Sequence, residues 1–238
     1  MTYSQEKPGS RLVVLTGAGV SAESGIKTFR DMGGIWDQYD ITEVASPEAW
    51  NRNRKLVLDF YNQRRKQLFE ASPNAAHYGL VDLEDHFDVQ IVTQNVDDLH
   101  ERAGSHHVLH LHGELKKARS TVDSSLIYDL DHWELKEGDT CAKGSQLRPH
   151  VVWFGEPVPA IEEAARIVQE AEIFVVLGTS LSVYPAAGLL QFVNKGVPVY
   201  IIDPGSPRYQ DSDHLHVIKD KASSGVNKLK EILLKKNK

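Results

Sequence analysis

Four short, continuous apolar runs punctuate the chain: Leu12 to Leu15, Val89 to Val92, Ile173 to Leu177 and Val197 to Ile202. Runs of this length without polar alternation predict strands buried on both faces. Stretches with helical spacing separate or follow them, at Pro47 to Glu70, Ala75 to Leu83, Ala160 to Gln169, Ala186 to Asn194 and Ser224 to Leu234. Buried strands alternating with helices predict an α/β fold built on a Rossmann-like, doubly wound parallel sheet. Two stretches break the rhythm. Lys27 to Ser72 holds a polar loop and a long helix, and Lys116 to Leu147 is polar and irregular. Both predict a smaller inserted lobe, so that one domain over 1–238 divides into a large lobe (about 8–26, 73–115 and 148–235) and a small one (about 27–72 and 116–147). The cleft between lobes is the default binding site.

Composition narrows the partners. The chain has 238 residues, 41% apolar and 25% charged, ordinary for a soluble globular protein. A formal net charge of −6 argues against a nucleic-acid-binding surface. The apolar runs are too short to span a bilayer, and Met1 to Arg11 lacks an apolar signal core. Cys141 stands alone, so no intramolecular disulfide is available. The expectation is a cytoplasmic protein with neither membrane nor direct nucleic-acid partner.

Candidate chemistry lies in four polar clusters. In Val13-Val14-Leu15-Thr16-Gly17-Ala18-Gly19-Val20-Ser21-Ala22 an apolar strand enters a glycine pair. Gly17 suits a tight turn, Gly19 a close approach to pyrophosphate, and Ala22 the third position of the dinucleotide-phosphate pattern, with the N-terminus of a following helix facing the phosphates. Thr93-Gln94-Asn95-Val96-Asp97-Asp98-Leu99-His100 sits at the carboxyl end of the second strand, and reads either as a ligand loop or as a helix start capped by Asn95 or Asp97. His110-Leu111-His112-Gly113 places two histidines on one side of a strand, with Gly113 leaving room for a ligand; a general base, a plain histidine pair and a metal site are all open. Gly178-Thr179-Ser180-Leu181-Ser182-Val183-Tyr184-Pro185-Ala186 is a second hydroxyl-rich turn, for ribose or phosphate or for helix capping. The acidic residue that a dehydrogenase carries about 20 residues past its glycines falls in loop here.

Together these clusters resemble the sirtuin family of NAD-dependent protein-lysine deacylases. The resemblance adds Ser24-Gly25-Ile26, Phe29-Arg30, Arg148-Pro149 and Val151 to Glu156 in family order. It implies that NAD loses nicotinamide as the acyl-lysine oxygen attacks the ribose carbon. His112 matches the general base that deprotonates a ribose hydroxyl, a role typically supplying about 10² to 10⁴ in rate. Asn95 would hold ribose and a water, and Asp97 the nicotinamide carboxamide. Gly17, Ala18, Ser21, Thr28, Arg30, Trp36 and Gln94 would line the cofactor site with Gly178, Thr179 and Ser180, while Phe29 shields the reacting face. Asp203 would meet the adenine ribose, and Ala222 the adenine. An acylated-lysine protein or peptide would enter extended between Val152, Phe154-Gly155-Glu156 and Val183-Tyr184-Pro185, although a plain buried strand accounts for Trp153-Phe154 equally well.

Tyr61 and Arg64, three apart on one helix face, resemble the pair that reads succinyl and malonyl carboxylates in one sirtuin class, and Ala45 matches the small residue that widens its acyl pocket. The rival is a solvated basic face, Arg64-Arg65-Lys66. Three departures stand out. The two cysteine pairs that hold structural zinc in most sirtuins reduce to Cys141, so no zinc is expected, with Leu126, Ile127, Tyr128, Leu130, Trp133 and Leu135 as an apolar staple instead. Lys27-Thr28 replaces a proline–aspartate pair. Asp203 replaces an asparagine, which disfavours a phosphate nearby. Mono-ADP-ribosyl transfer to protein and a non-catalytic nucleotide-sensing module are the alternative functions.

Overall fold

The computed structural model describes residues 9–26, 41–179, 181, 183–205 and 213–236. Six parallel strands form the main sheet: β1 Arg11–Thr16, β2 Asp88–Thr93, β3 Val108–His110, β7 Ile173–Leu177, β8 Val199–Ile202 and β9 Leu215–Ile218. Their order is β3-β2-β1-β7-β8-β9, a doubly wound sheet whose direction of winding reverses between β1 and β7. Strand periodicity distributes the apolar runs to the two faces. Leu12 and Val14 meet the helices α4 Ala75–Leu83 and α7 Ala222–Lys236 on one side. Val13 and Leu15 meet α6 Ile161–Gln169 and the 3₁₀ segment Ala186–Phe192 on the other.

The four predicted strands are all in this sheet, the last beginning at Val199 rather than Val197. Its edge strands β3 and β9 are three and four residues long and carry too little pattern to be read in advance. The helical stretch from Pro47 is two helices, α2 Pro47–Arg52 and α3 Arg54–Glu70, with the short α1 Ile41–Val44 ahead of them. Asn53 causes the break, because its side chain accepts from Leu56 N–H and caps α3. Helix α5, Leu99–Ala103, follows β2 and stops at Gly104, whose φ of +112° is left-handed.

A second sheet, antiparallel and ordered β5-β4-β6, joins β4 Gly113–Ser120, β5 Ile127–Asp129 and β6 Leu147–Val151. With α1, α2 and α3 it encloses a separate core of Val57, Phe60, Tyr61, Leu68, Leu130, Leu135, Cys141 and Trp153. The expected apolar staple is only partly realised. Leu130 and Leu135 are buried and Leu126 and Tyr128 pack against the core, but Ile127 and Trp133 are exposed. Ile127 faces outward because alternation on an edge strand turns only Tyr128 inward.

Polar groups supply the rest of the staple. Arg65 is fully buried, not part of a solvated face. Its Nε donates to Leu115 O at 2.6 Å, and its Nη1 to Trp133 O and Asn62 Oδ1, each at 2.8 Å. Asn62 in turn exchanges two hydrogen bonds with the Leu135 backbone. Burial lowers the Arg65 guanidinium to about 10, so it stays charged at neutral pH. Replacing it should leave the buried Leu115 carbonyl and the partly buried Trp133 carbonyl without charged donors. Arg65→Ala is therefore expected to cost about 3 kcal/mol in urea unfolding; a loss under about 0.5 kcal/mol would show that these bonds hold nothing together.

Candidate active site

The reversal between β1 and β7 opens a crevice at the carboxyl ends of the strands. A cavity of about 980 Å³ fills it, bounded across the cleft by α3 and the segment after β6. Two glycine loops meet at its floor. Gly17 N–H donates to Leu177 O at 3.1 Å and Gly19 N–H to Gly178 O at 2.8 Å. A Cβ on Gly17 would lie 2.6 Å from Thr179 Cβ, and one on Gly19 2.7 Å from Gly178 O. Backbone rather than side chain therefore faces the cavity, the cradle a pyrophosphate requires. Within residues 18–26 the loop runs on as two 3₁₀ turns, Ala18–Val20 and Ala22–Ser24, ending at Gly25, so no long helix begins there as the sequence pattern suggests.

The loop after β2 carries the densest polar network. Asn95 Nδ2 donates to Ser21 Oγ at 3.1 Å, and Ser21 Oγ donates to Asp97 Oδ2 at 3.0 Å. Asp97 Oδ1 also accepts from Leu99 N–H, so Asp97 helps start α5 and joins the cavity network at once. Burial raises the Asp97 carboxyl, and these two hydrogen bonds oppose that shift. Asn95 N–H donates to Thr93 Oγ1, which receives a further bond from Thr16 Oγ1 at 2.8 Å. Gln94 Nε2 donates to Thr179 Oγ1 at 3.0 Å, tying this loop to the one after β7.

Both histidines reach back to that loop, with different outcomes. His110 Nδ1 bonds Asn95 O at 2.9 Å and its Nε2 meets Glu101 at 2.7 Å, which occupies both ring nitrogens and leaves none for a metal. Burial opposes the charge on His110, yet Glu101 raises its pKa above the ordinary value. His112 Nδ1 lies 3.0 Å from Gln94 O. A carbonyl only accepts, so Nδ1 carries the proton and Nε2 keeps its lone pair. Burial lowers the His112 pKa and the bond to Gln94 offsets this in part, so the ring is neutral at physiological pH. Gly113 does not make room for a ligand. With φ +79°, its missing Cβ spares a 2.2 Å collision with His150 O across the β4–β6 pair.

On the opposite wall stand Ala45, Tyr61 and Arg64. Tyr61 is buried, in edge-to-face contact with Phe60 (ring centroids 5.1 Å apart), and the Arg64 guanidinium lies 5.9 Å from the Tyr61 ring centre. Burial lowers the Arg64 pKa, opposed by Tyr61 and Asp97. Phe154 is 47% exposed, in a turn beyond the end of β6, so the buried-strand reading fails for it. Its N–H donates to Ala45 O, and the Glu156 carboxylate is engaged by Arg148, Arg119 and Trp153 N–H. Glu156 thus shapes the wall through internal bonds rather than by presenting a free charge. Asp203 Oδ1 accepts from Gly205 N–H at 2.7 Å and borders the cavity beside Ala222.

Each described residue assigned a site role from sequence borders this one cavity, including Ser21, Val152, Gly155 and Val183; Thr28, Phe29, Arg30, Trp36 and Ser180 lie outside the described residues. The structure adds Gln67, Trp153 and Lys221 to the lining. Gln67 carried a legible signal, three positions past Arg64 on α3, and Trp153 stands inside the Val151 to Glu156 segment; Lys221 carried none. No three His, Cys, Asp or Glu among the described residues converge on a metal-sized point. Cys141 bonds Ser145, Asp123 bonds Lys143, and His132 bonds Asp131.

Sheet, crevice and glycine loops define a doubly wound α/β protein of the dinucleotide-binding type. The Sir2 family model matches residues 17–185, and the chain belongs to that family. It is 55% identical to a protein of Bacteroides thetaiotaomicron named NAD-dependent protein deacylase, over 94% of this chain and 97% of that one. A Helicobacter pylori protein of the same name is 52% identical, over 92% and 93%. A solved Sir2 homolog–NAD complex superposes with a TM-score of 0.86 at 37% identity, covering 97% of each chain. A Sir2 variant with a deacetylated p53 peptide and 3′-O-acetyl ADP-ribose gives 0.80 at 30% identity, covering 93% and 92%.

The opposed shifts of the two histidines are measurable. In an NMR titration His112 is expected to protonate below pH 6.5 and His110 above it; the reverse order would contradict the hydrogen bonding described.

Proposed function

We propose that this protein is an NAD-dependent protein-lysine deacylase that releases nicotinamide and O-acyl-ADP-ribose, and that it prefers succinyl- and malonyl-lysine to acetyl-lysine. The observation that carries the reading is the neutral, tautomerically fixed His112 beside Asn95 and Asp97 in a glycine-floored cavity. When bound, NAD supplies the glycosidic bond whose loss of nicotinamide opens the ribose carbon to the acyl oxygen. His112 Nε2 accepts a ribose hydroxyl proton, and Gln94 O steadies the charge that then appears on the ring. The Ser21 relay orients the Asn95 amide toward ribose and the Asp97 carboxylate toward a carboxamide donor. The glycine loops, with Asp203 and Ala222, take the diphosphate and adenosine end. Acylated proteins or peptides enter beside Phe154 and Val183. The division into a nucleotide lobe and a small lobe at the boundaries given above belongs to the same proposal, as does a cytoplasmic location, which the lone cysteine favours.

The acyl preference rests on Arg64 and Tyr61 standing on the cavity wall with Ala45 beside them. A guanidinium inside an apolar wall has more to gain from an acyl carboxylate than from a methyl group. An acyl-peptide panel with NAD, read by mass, tests both levels. Wild type should release nicotinamide and O-acyl-ADP-ribose, and His112→Ala should lose about 10²-fold or more. Arg64→Met should lower the succinyl-to-acetyl ratio of kcat/KM by about 100-fold, as loss of a buried charge-assisted contact costs on the order of 2–5 kcal/mol. An equal loss on both substrates would defeat the assignment of Arg64.

We also propose that the small lobe holds its shape without zinc, supported by the separate partners of Cys141, Asp123 and His132 and by the Asn62–Arg65 bonds. A chelator should leave both melting temperature and turnover unchanged. Stoichiometric zinc in the purified protein would overturn this.

A further inference from the structure

Trp153 is 2% exposed, and its indole Nε1 is buried without a hydrogen-bond partner. A buried donor left unmade demands an explanation. The indole cannot swing away to find another acceptor. Its ring centre is 5.7 Å from that of Trp50 and 6.5 Å from that of Tyr61, and the Arg148 guanidinium carbon lies 3.2 Å above it. Arg148 is itself clamped by both Glu156 oxygens. The polar group this arrangement offers the indole is the Tyr61 hydroxyl, on the same wall of the cavity as Ala45 and Arg64. Burial pushes that hydroxyl up to about 12, against the opposing influence of Arg64 and of the indole N–H.

We propose that Trp153 is a positioning residue for acyl-chain recognition: its N–H takes the acceptor side of the Tyr61 oxygen, so that the phenolic hydrogen turns into the cavity toward the carboxylate of a succinyl or malonyl chain. The inference rests on the acyl preference argued above. The chemistry is one of direction. A phenol has one hydrogen and an acceptor oxygen, and an indole only donates, so an indole facing the oxygen leaves the phenol free to donate elsewhere. A carboxylate only accepts. The indole N–H stands beside the Tyr61 oxygen without a completed bond, and a carboxylate that polarises the phenol makes that oxygen the better acceptor, since hydrogen bonds in a chain strengthen one another. An acetyl group offers no such partner, so the device acts on carboxylated chains alone.

The test is a double-mutant cycle read as the succinyl-to-acetyl ratio of kcat/KM. Trp153→Phe keeps an aromatic ring and deletes the N–H; the ratio should fall about fivefold, the size of one neutral hydrogen bond. Tyr61→Phe should lower it at least as much. The double variant should match Tyr61→Phe within about twofold, because Trp153 acts through a hydroxyl already gone. Should Trp153→Phe fail to fold, β-(3-benzothienyl)alanine at position 153, of the same shape without the N–H, takes its place. An unchanged ratio, or independent and additive losses, would refute the role of Trp153 while leaving the acyl reading intact if Arg64→Met still abolishes the preference. A wild-type enzyme indifferent to the acyl carboxylate would overturn both.

Discussion

The contact between Gly19 and Gly178 is the constraint on which the site depends. Their backbones meet at 2.8 Å, and Gly178 has a φ of +63° that side-chain-bearing residues rarely adopt. A Cβ on Gly178 would sit 2.5 Å from Val20 N. The loops leaving β1 and β7 can therefore approach only as bare backbone. Because winding reverses between these two strands, any side chain here would force apart the two loops that floor the crevice. The polar groups beneath the cavity are placed relative to this joint: Thr179 receives Gln94, Gln94 receives His112, and Ser21 gathers Asn95 and Asp97.

Such a chain of bonds solves a problem of burial. Asn95, Asp97 and Ser21 are all buried, and unpaired polar groups in that setting each cost about 1–3 kcal/mol. They pair with one another before any ligand arrives, so their directions are set in advance. Arg148, Glu156 and Arg119 repeat the solution on the far wall, where two guanidinium groups and one carboxylate lock the turn that follows β6. Preorganised polar groups of this kind need little rearrangement when charge develops.

Periodicity and glycine spacing made the sheet legible, because strands buried on both faces have few alternatives. The motif loops were legible only as an ordered set, because each cluster taken alone also reads as a turn or a helix cap. Three features were not. Arg65 follows Arg64 in a basic run, and nothing in the sequence distinguishes the one that is fully buried. Trp153 reads as a core aromatic, and its orphan N–H exists only in three dimensions. Gly113 looks like clearance for a ligand, whereas the atom it avoids is His150 O, 37 positions further along the chain. In each case the deciding partner is remote in sequence, which is where local pattern stops carrying information.

Helix α3 joins the two halves of the structure. Tyr61 and Arg64 form one pair three residues apart and line the cavity; Asn62 and Arg65, one position further round, grip β4 and the Trp133–Leu135 segment. Here the helix that faces the cavity is also the one that holds the lobe together, so its position along the cavity wall is set by backbone carbonyls on the opposite side. The placement of Tyr61 and Arg64 on the cavity wall and the packing of α3 against β4 are therefore one property. A substitution that removes the Arg65 clamp should disturb the placement of Arg64 on the cavity wall together with the stability of the fold.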